Sequence, residues 1–198
     1  MRTVDERASN LGSTIAEAMK STGVSIRVAV PGIIRGWDSA TQTVKVQPAI
    51  REKISTGGEA REMEIPMLVD VPVVMPIAGG YCFVATPKDG DECLVVFADM
   101  CIDAWWQSGG VQSQSDKRRH DLSDGFAILG CWSQVRKPVI PTEGCCMQNI
   151  DGTAGISIKG NVVNIFGSVT INGSSYASHT HGGVESGSGS TGGVNGAG

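Results

Sequence analysis

Between Val24 and Ile140 apolar and polar side chains alternate with a period of two. Successive side chains of a strand point to opposite faces, so this alternation predicts strands with one face buried. The clearest are Ser25 to Val30, Thr43 to Gln47, Met67 to Met75, Glu92 to Phe97 and Gly125 to Gly130. They are separated by turn-forming residues: Trp37-Asp-Ser-Ala40, Ser55-Thr-Gly-Gly58, Ile77-Ala-Gly-Gly80 and Pro87-Lys-Asp-Gly-Asp91. Five short strands in about a hundred residues predict a small closed barrel of the OB type, large enough to bury its own core.

The period changes at both ends of this region. From Val4 to Thr22 the apolar positions Val4, Ala8, Leu11, Ile15 and Ala18 step by four and three, which predicts a helix with a narrow apolar stripe. Asp5 and Glu6 lie in its first turn, where they favour the helix dipole, and Gly23 can end it. A helix this short needs something to pack on. Its own domain, a bundle with other chains and another protein all stay open as that surface.

From Asp151 to His181 the strands become very short. Ile156-Ser-Ile158, Val163-Asn-Ile165 and Val169-Thr-Ile171 each offer two β-branched side chains to one face, and glycine follows each at Gly160, Gly167 or Gly173. Six such side chains cannot offset the conformational entropy of ordering the whole stretch in one chain. Identical chains wrapped about a common axis supply the missing strand partners and the missing buried face. The spacing favours an intertwined β-prism, and edge strands of a monomeric β domain are the alternative.

Ser178-His179-Thr180-His181 follows at once. In an extended chain His179 and His181 project from the same face, and three chains about an axis bring six imidazoles to one point. Imidazole suits iron, nickel, copper or zinc, and six nitrogen ligands argue against zinc, which prefers four. Outside an oligomer, two histidines in a polar tail carry little weight.

Composition narrows the function. The chain has 198 residues, a net charge of −4, 5% aromatic residues and 27 glycines. That charge gives no electrostatic reason to expect nucleic acid or an anionic membrane surface. No basic and apolar leader and no run of about 18 apolar residues is present, so folding in a cytoplasm is expected. Six cysteines lack C-x-x-C or zinc spacing and are expected as small buried hydrophobes. Lys117-Arg-Arg-His120 is the one basic cluster and is expected as a solvated loop. His120 comes with no G-x-S-x-G, H-E-x-x-H or P-loop motif, so a hydrogen bond to Asp121 or Asp124 is expected of it, and no catalytic residue is assigned.

The β-branched repeat that runs into His-Thr-His and a Gly-rich end resembles the tip of the central spike proteins of contractile-tailed bacteriophages, the membrane-piercing needles of the baseplate. Gly90 to Asp99, Ile102 to Trp105, Gly109-Gly110 and Arg119 to Gly125 resemble the N-terminal OB domain of the same family. The resemblance implies a mainly β homotrimer in four parts: an N-terminal helix (1–23), an OB barrel (24–140), a linker and triple-stranded β-helix needle (141–181), and a Gly/Ser-rich tip cap (182–198). It implies one iron ion per trimer, held by His179 and His181. It further implies a non-enzymatic spike that sits at the tail tip on a baseplate hub protein, is assembled in the host cytoplasm, and is driven through the bacterial outer membrane when the sheath contracts. Neither nucleic acid nor a small-molecule substrate is expected as a partner. Two other readings stay open: an OB protein that binds oligonucleotide or glycan, and a metal-dependent hydrolase that uses His120 with the tail histidines.

Overall fold

The computed structural model of the chain describes residues 26–56 and 59–177. The helix expected over 4–22, the histidines 179 and 181 and the Gly-rich end lie outside those residues. The chain forms two compact units that divide between Arg136 and Lys137.

In the first unit β1 (Ala29–Asp38), β2 (Thr43–Pro48), β5 (Leu68–Val74), β8 (Glu92–Phe97) and β9 (Gly125–Leu129) close into a barrel in the order β1-β2-β5-β9-β8. All neighbours are antiparallel except β5 and β9, where Val73 pairs with Ala127 and Val74 with Ile128 in parallel. This is the five-stranded, OB-like barrel that the alternation predicts. Between its strands lie two hairpins, β3 (Arg51–Thr56) with β4 (Glu59–Glu64) and β6 (Ile77–Ala78) with β7 (Tyr81–Cys82), and the short helix α1 (Asp103–Ser108).

Alternation fills the barrel. Val44 and Val46 point inward from β2 with Lys45 outside, and Cys93, Val95 and Phe97 point inward from β8. At two places a bulge shifts the register and with it the face that a side chain takes. Val44 pairs with Val71 but Val46 with Leu68, so β5 carries one extra residue. Asp70 takes up the excess with φ +54°, which lets both Leu68 and Val71 face the core. On β1 a register shift between Ile34 and Gly36 likewise turns both Ile34 and Trp37 toward the core.

Three expectations are corrected. The first strand begins at Ala29 and runs to Asp38, well beyond the Ser25 to Val30 segment; Pro31, Gly32 and Gly36 hide the continuation from a propensity reading. The β3–β4 hairpin escapes an apolar pattern because it is held by charge across the strands, with Arg51 opposite Glu64 and Lys53 opposite Glu62. Of the six cysteines only Cys93 is buried, while Cys82, Cys131 and Cys145 are exposed. Burial in the core pushes the Cys93 thiol up to about 11, with nearby Cys131 adding to the effect.

Gly32 is paired on both sides, with Pro48 of β2 and Cys93 of β8. A Cβ there would overlap Val46 Cγ1 inside the barrel. Gly32→Ala should therefore cost about 1–3 kcal/mol by overpacking, read as a lower urea midpoint at unchanged slope. Gly36→Ala, whose nearest neighbour would be Lys45 Cδ at 3.7 Å, is the control and should shift stability by less than about 0.5 kcal/mol.

Candidate functional site

The long connection from β8 to β9 carries a cluster of ionisable groups held by ion pairs. Asp124 is fully buried. It accepts hydrogen bonds from Arg118 Nε at 2.6 Å, Arg118 Nη2 at 2.9 Å and the Ile102 N–H at 3.0 Å, and so ties both ends of the loop to the barrel. Arg118 Nη2 also lies 2.9 Å from Asp103 Oδ2. The Arg118 hydrogen bond holds the Asp103 carboxyl below its usual range, while the two carboxylates raise the pKa of Arg118 further. Cys101, Asp103 and Asp124 bring ligand atoms within 4.8 Å of one another, but the guanidinium already supplies the positive charge between the two acids. Arg118 is thus a structural ion-pair residue and not the solvated loop cation expected from its sequence.

His120 follows in the left-handed region, with φ +47°. Its Nε2 lies 3.4 Å from Asp99 Oδ1, and Asp99 Oδ2 also accepts from Arg119 Nη1 at 2.7 Å. The expected bond to Asp121 or Asp124 is not made, and both carboxylates accept from other donors. Arg118 takes Asp124, and Ser123 donates its N–H and its hydroxyl to Asp121, which lowers the pKa of that carboxyl.

The second unit presents a different kind of surface. β10 (Cys145–Gln148), β11 (Gly155–Lys159) and β12 (Val162–Phe166) form an antiparallel meander, and β13 (Thr170–Ile171) and β14 (Ser174–Ser175) form a hairpin. Glycine sets the tight turns. Gly160 at φ +56° begins the two-residue connection from β11 to β12, and Asn172-Gly173, at φ +49° and +82°, make the Asn-Gly turn of the hairpin. In the wider β10–β11 connection the Asn149 side chain accepts from the N–H groups of Thr153 at 2.8 Å and Ala154 at 3.1 Å.

Register decides the faces. Cys145, Ile158 and Val163 lie opposite one another across the three strands, and so do Met147, Ile156 and Ile165. One face of the sheet is therefore a continuous apolar patch of six side chains. All six are exposed, from 39% at Ile156 to 65% at Val163. The opposite face, with Cys146, Gln148 and Ser157, is the better covered of the two, and Gln148 donates across it to the Val139 carbonyl. Not one described residue of the second unit is buried.

The patch contains four of the β-branched side chains predicted to face inward and adds Cys145 and Met147. Cys-Cys-Met-Gln shows no clean alternation, and with prolines and glycines around it the segment reads as connector. His179 and His181 lie just past the last described residue, Ala177.

Two family models match the chain. One described as Phage protein Gp138 N-terminal domain covers residues 30–130, just over half the chain, and spans the barrel with its β8–β9 loop. One described as GpV Apex motif covers residues 175–193 and includes both tail histidines. No curated protein matches the chain.

The two candidate ligand groups can be separated experimentally. Asp124→Ala leaves Arg118 half-buried without its main partner and the Ile102 N–H without an acceptor. It should destabilise the barrel by about 3–5 kcal/mol, seen as a lower melting temperature. Because Arg118 already neutralises this cluster, the metal content of the purified variant that remains folded should equal that of the parent; a fall in metal content would place an ion in the loop.

Proposed function

Because this chain belongs to the family of phage proteins that carry the Gp138 N-terminal domain, and is a spike of the phage baseplate, we propose that it works as a homotrimer whose second units join into one needle. The observation that carries this reading is the six-residue apolar face of the β10–β12 sheet, left in water by a single chain. Three such sheets turned inward about one axis bury their apolar faces on one another and keep the polar faces outward. The exposed backbone edges then have strand partners in neighbouring chains.

The role is mechanical. Contraction of the tail drives the spike against the outer membrane of the target cell, and a narrow, hydrogen-bonded rod concentrates that force on a small area. The rod resists buckling because its backbone pairing and its core are shared among three chains. A hub protein of the baseplate holds the barrel end, and assembly takes place in the host cytoplasm before the virion is complete. The family is a structural one, which supports a spike without catalytic activity. Oligonucleotide or glycan binding by the barrel is less well supported, because Arg118 and Arg119 are engaged by Asp124, Asp103 and Asp99.

At the point, the donor set fits a transition metal. Two imidazoles from each chain, His179 and His181, give six neutral nitrogen ligands, and resemblance to the spike family selects iron, one ion per trimer. The ion would tie three chain ends together where the chain is too rich in glycine to pack a core.

Sedimentation and elemental analysis of the full chain test the reading together: a trimer mass with one metal ion per three chains is expected, and a monomer removes the needle. Ile158→Asp or Ile165→Asp places three like charges about the axis, where they meet each other unpaired. Either should abolish the trimer while the barrel keeps its cooperative melt, and wild-type mass and melting temperature would show that these residues face solvent.

His179→Ala with His181→Ala should abolish bound metal and leave the trimer mass unchanged. Protonated imidazole has no lone pair to donate, so in the parent protein the metal should be lost on acidification below about pH 6.5, the ordinary histidine pKa. A buried site would shift that loss to lower pH, and metal retained by the double variant would exclude these ligands.

A further inference from the structure

The barrel unit carries an apolar surface of its own, in the β6–β7 hairpin. Val71 to Pro87 is the longest stretch of this unit without a formal charge. Ile77 pairs with Cys82 and Ala78 with Tyr81, so the two faces of the hairpin carry Ile77 and Cys82 on one side and Ala78 and Tyr81 on the other. Both faces are apolar and both are in water. Tyr81 is 81% exposed, and Ile77, Cys82, Phe83 and Val84 are exposed as well.

A ribbon of two-residue strands is not stable by itself in water. This one is sharply formed, with Gly79 and Gly80 at φ +59° and +82° in the turn and the Phe83 N–H bonded to the Pro76 carbonyl at 3.0 Å. Among the described residues nothing covers either face.

We infer that the β6–β7 hairpin is a self-association element of the barrel units, which packs against the hairpins or barrels of the other two copies. The inference rests on the trimer proposed above. Three observations select copies of this chain over an unrelated partner. A binding partner covers one face of a ribbon, whereas in a ring of three each chain has two neighbours, and both faces are covered. Side chains close to a threefold axis meet their own copies, which excludes charge there, and the hairpin lies within the longest uncharged run of its unit. Finally, barrels tethered to a shared needle face one another at an effective concentration on the order of millimolar, so a modest apolar contact is enough to hold them.

Peptide-level hydrogen exchange over residues 76–84, measured on the full chain, tests this. In the trimeric parent these amides should exchange roughly tenfold or more slowly than in the full-length Ile158→Asp, Ile165→Asp chain once its mass shows a monomer. Tyr81→Asp with Phe83→Asp should speed that exchange and lower the melting temperature of the barrel transition in the trimer. Rapid exchange over 76–84 in a parent that sediments as a trimer overturns the hairpin contact and leaves the needle intact, and so does a double variant with the parent's melting temperature. Exchange that slows only when other baseplate proteins are added replaces the self-contact with a foreign one. A monomeric parent removes this inference and the trimer together.

Discussion

A sheet with one continuous apolar face must turn that face away from water, and in the second unit of a single chain it stands open. Cys145, Met147, Ile156, Ile158, Val163 and Ile165 are exposed, while Cys146, Gln148 and Ser157 on the other face are half-buried. Each apolar side chain left in this way forgoes about 1.5–3 kcal/mol of burial. Local geometry cannot be the reason, because the turns are well made: Asn172-Gly173 and Gly160 sit in the left-handed region, and Asn149 ties down the wider loop. Among the described residues the chain has built a well-specified sheet with no interior, and this is the observation on which the proposed trimer rests.

The barrel obeys the same rule by closing on itself. Every strand finds two neighbours, and Val44, Val46, Val95 and Ala127 reach essentially complete burial within one chain. Closure needs bends, and the bends are local. Asp70 accepts a left-handed conformation, Gly32 lets β1 pass close to Val46, and the register shift at Arg35 rotates Trp37 inward. The long β8–β9 loop is anchored by a buried ion pair and not by apolar packing. A buried carboxylate such as Asp124 is tolerable only with its charge matched and its lone pairs filled, which Arg118 and the Ile102 N–H accomplish.

What could be read from the sequence follows from which forces set each element. Thr43 to Gln47 and Glu92 to Phe97 are visible because burial on one face imposes period two. The β3–β4 hairpin is invisible to that test, since its cross-strand pairs are ionic and its faces are both wet. β1 is obscured because a strand that bulges and passes close to a neighbour needs Pro31, Gly32 and Gly36, residues that read as loop. His120 could not be placed because its partner depends on which carboxylates are already engaged, and Asp99 is twenty-one residues away in sequence. The shared face of Ile156, Ile158 and Ile165 was legible as a pattern, and among the described residues that face is open.

Self-sufficiency in one unit and dependence in the other give the two parts opposite responses to concentration. The barrel's stability is a property of one chain, so its folding does not wait for partners. In the proposed trimer the needle's stability would rise with the local concentration of identical chains, since its core would exist only between them. In that proposed trimer a folded barrel that gathered its copies would lower the entropic cost of threading three short, glycine-punctuated strands together. The arrangement also separates what each part must resist: the barrel loop is held by directional ionic bonds that fix its shape, and the needle by apolar contact and backbone pairing repeated along its length. A point made of very short strands gains nothing from larger side chains, because residues close to the axis have no room for them. In the proposed trimer, ligation by the paired imidazoles of His179 and His181 would be the cross-link best suited to the place where packing runs out.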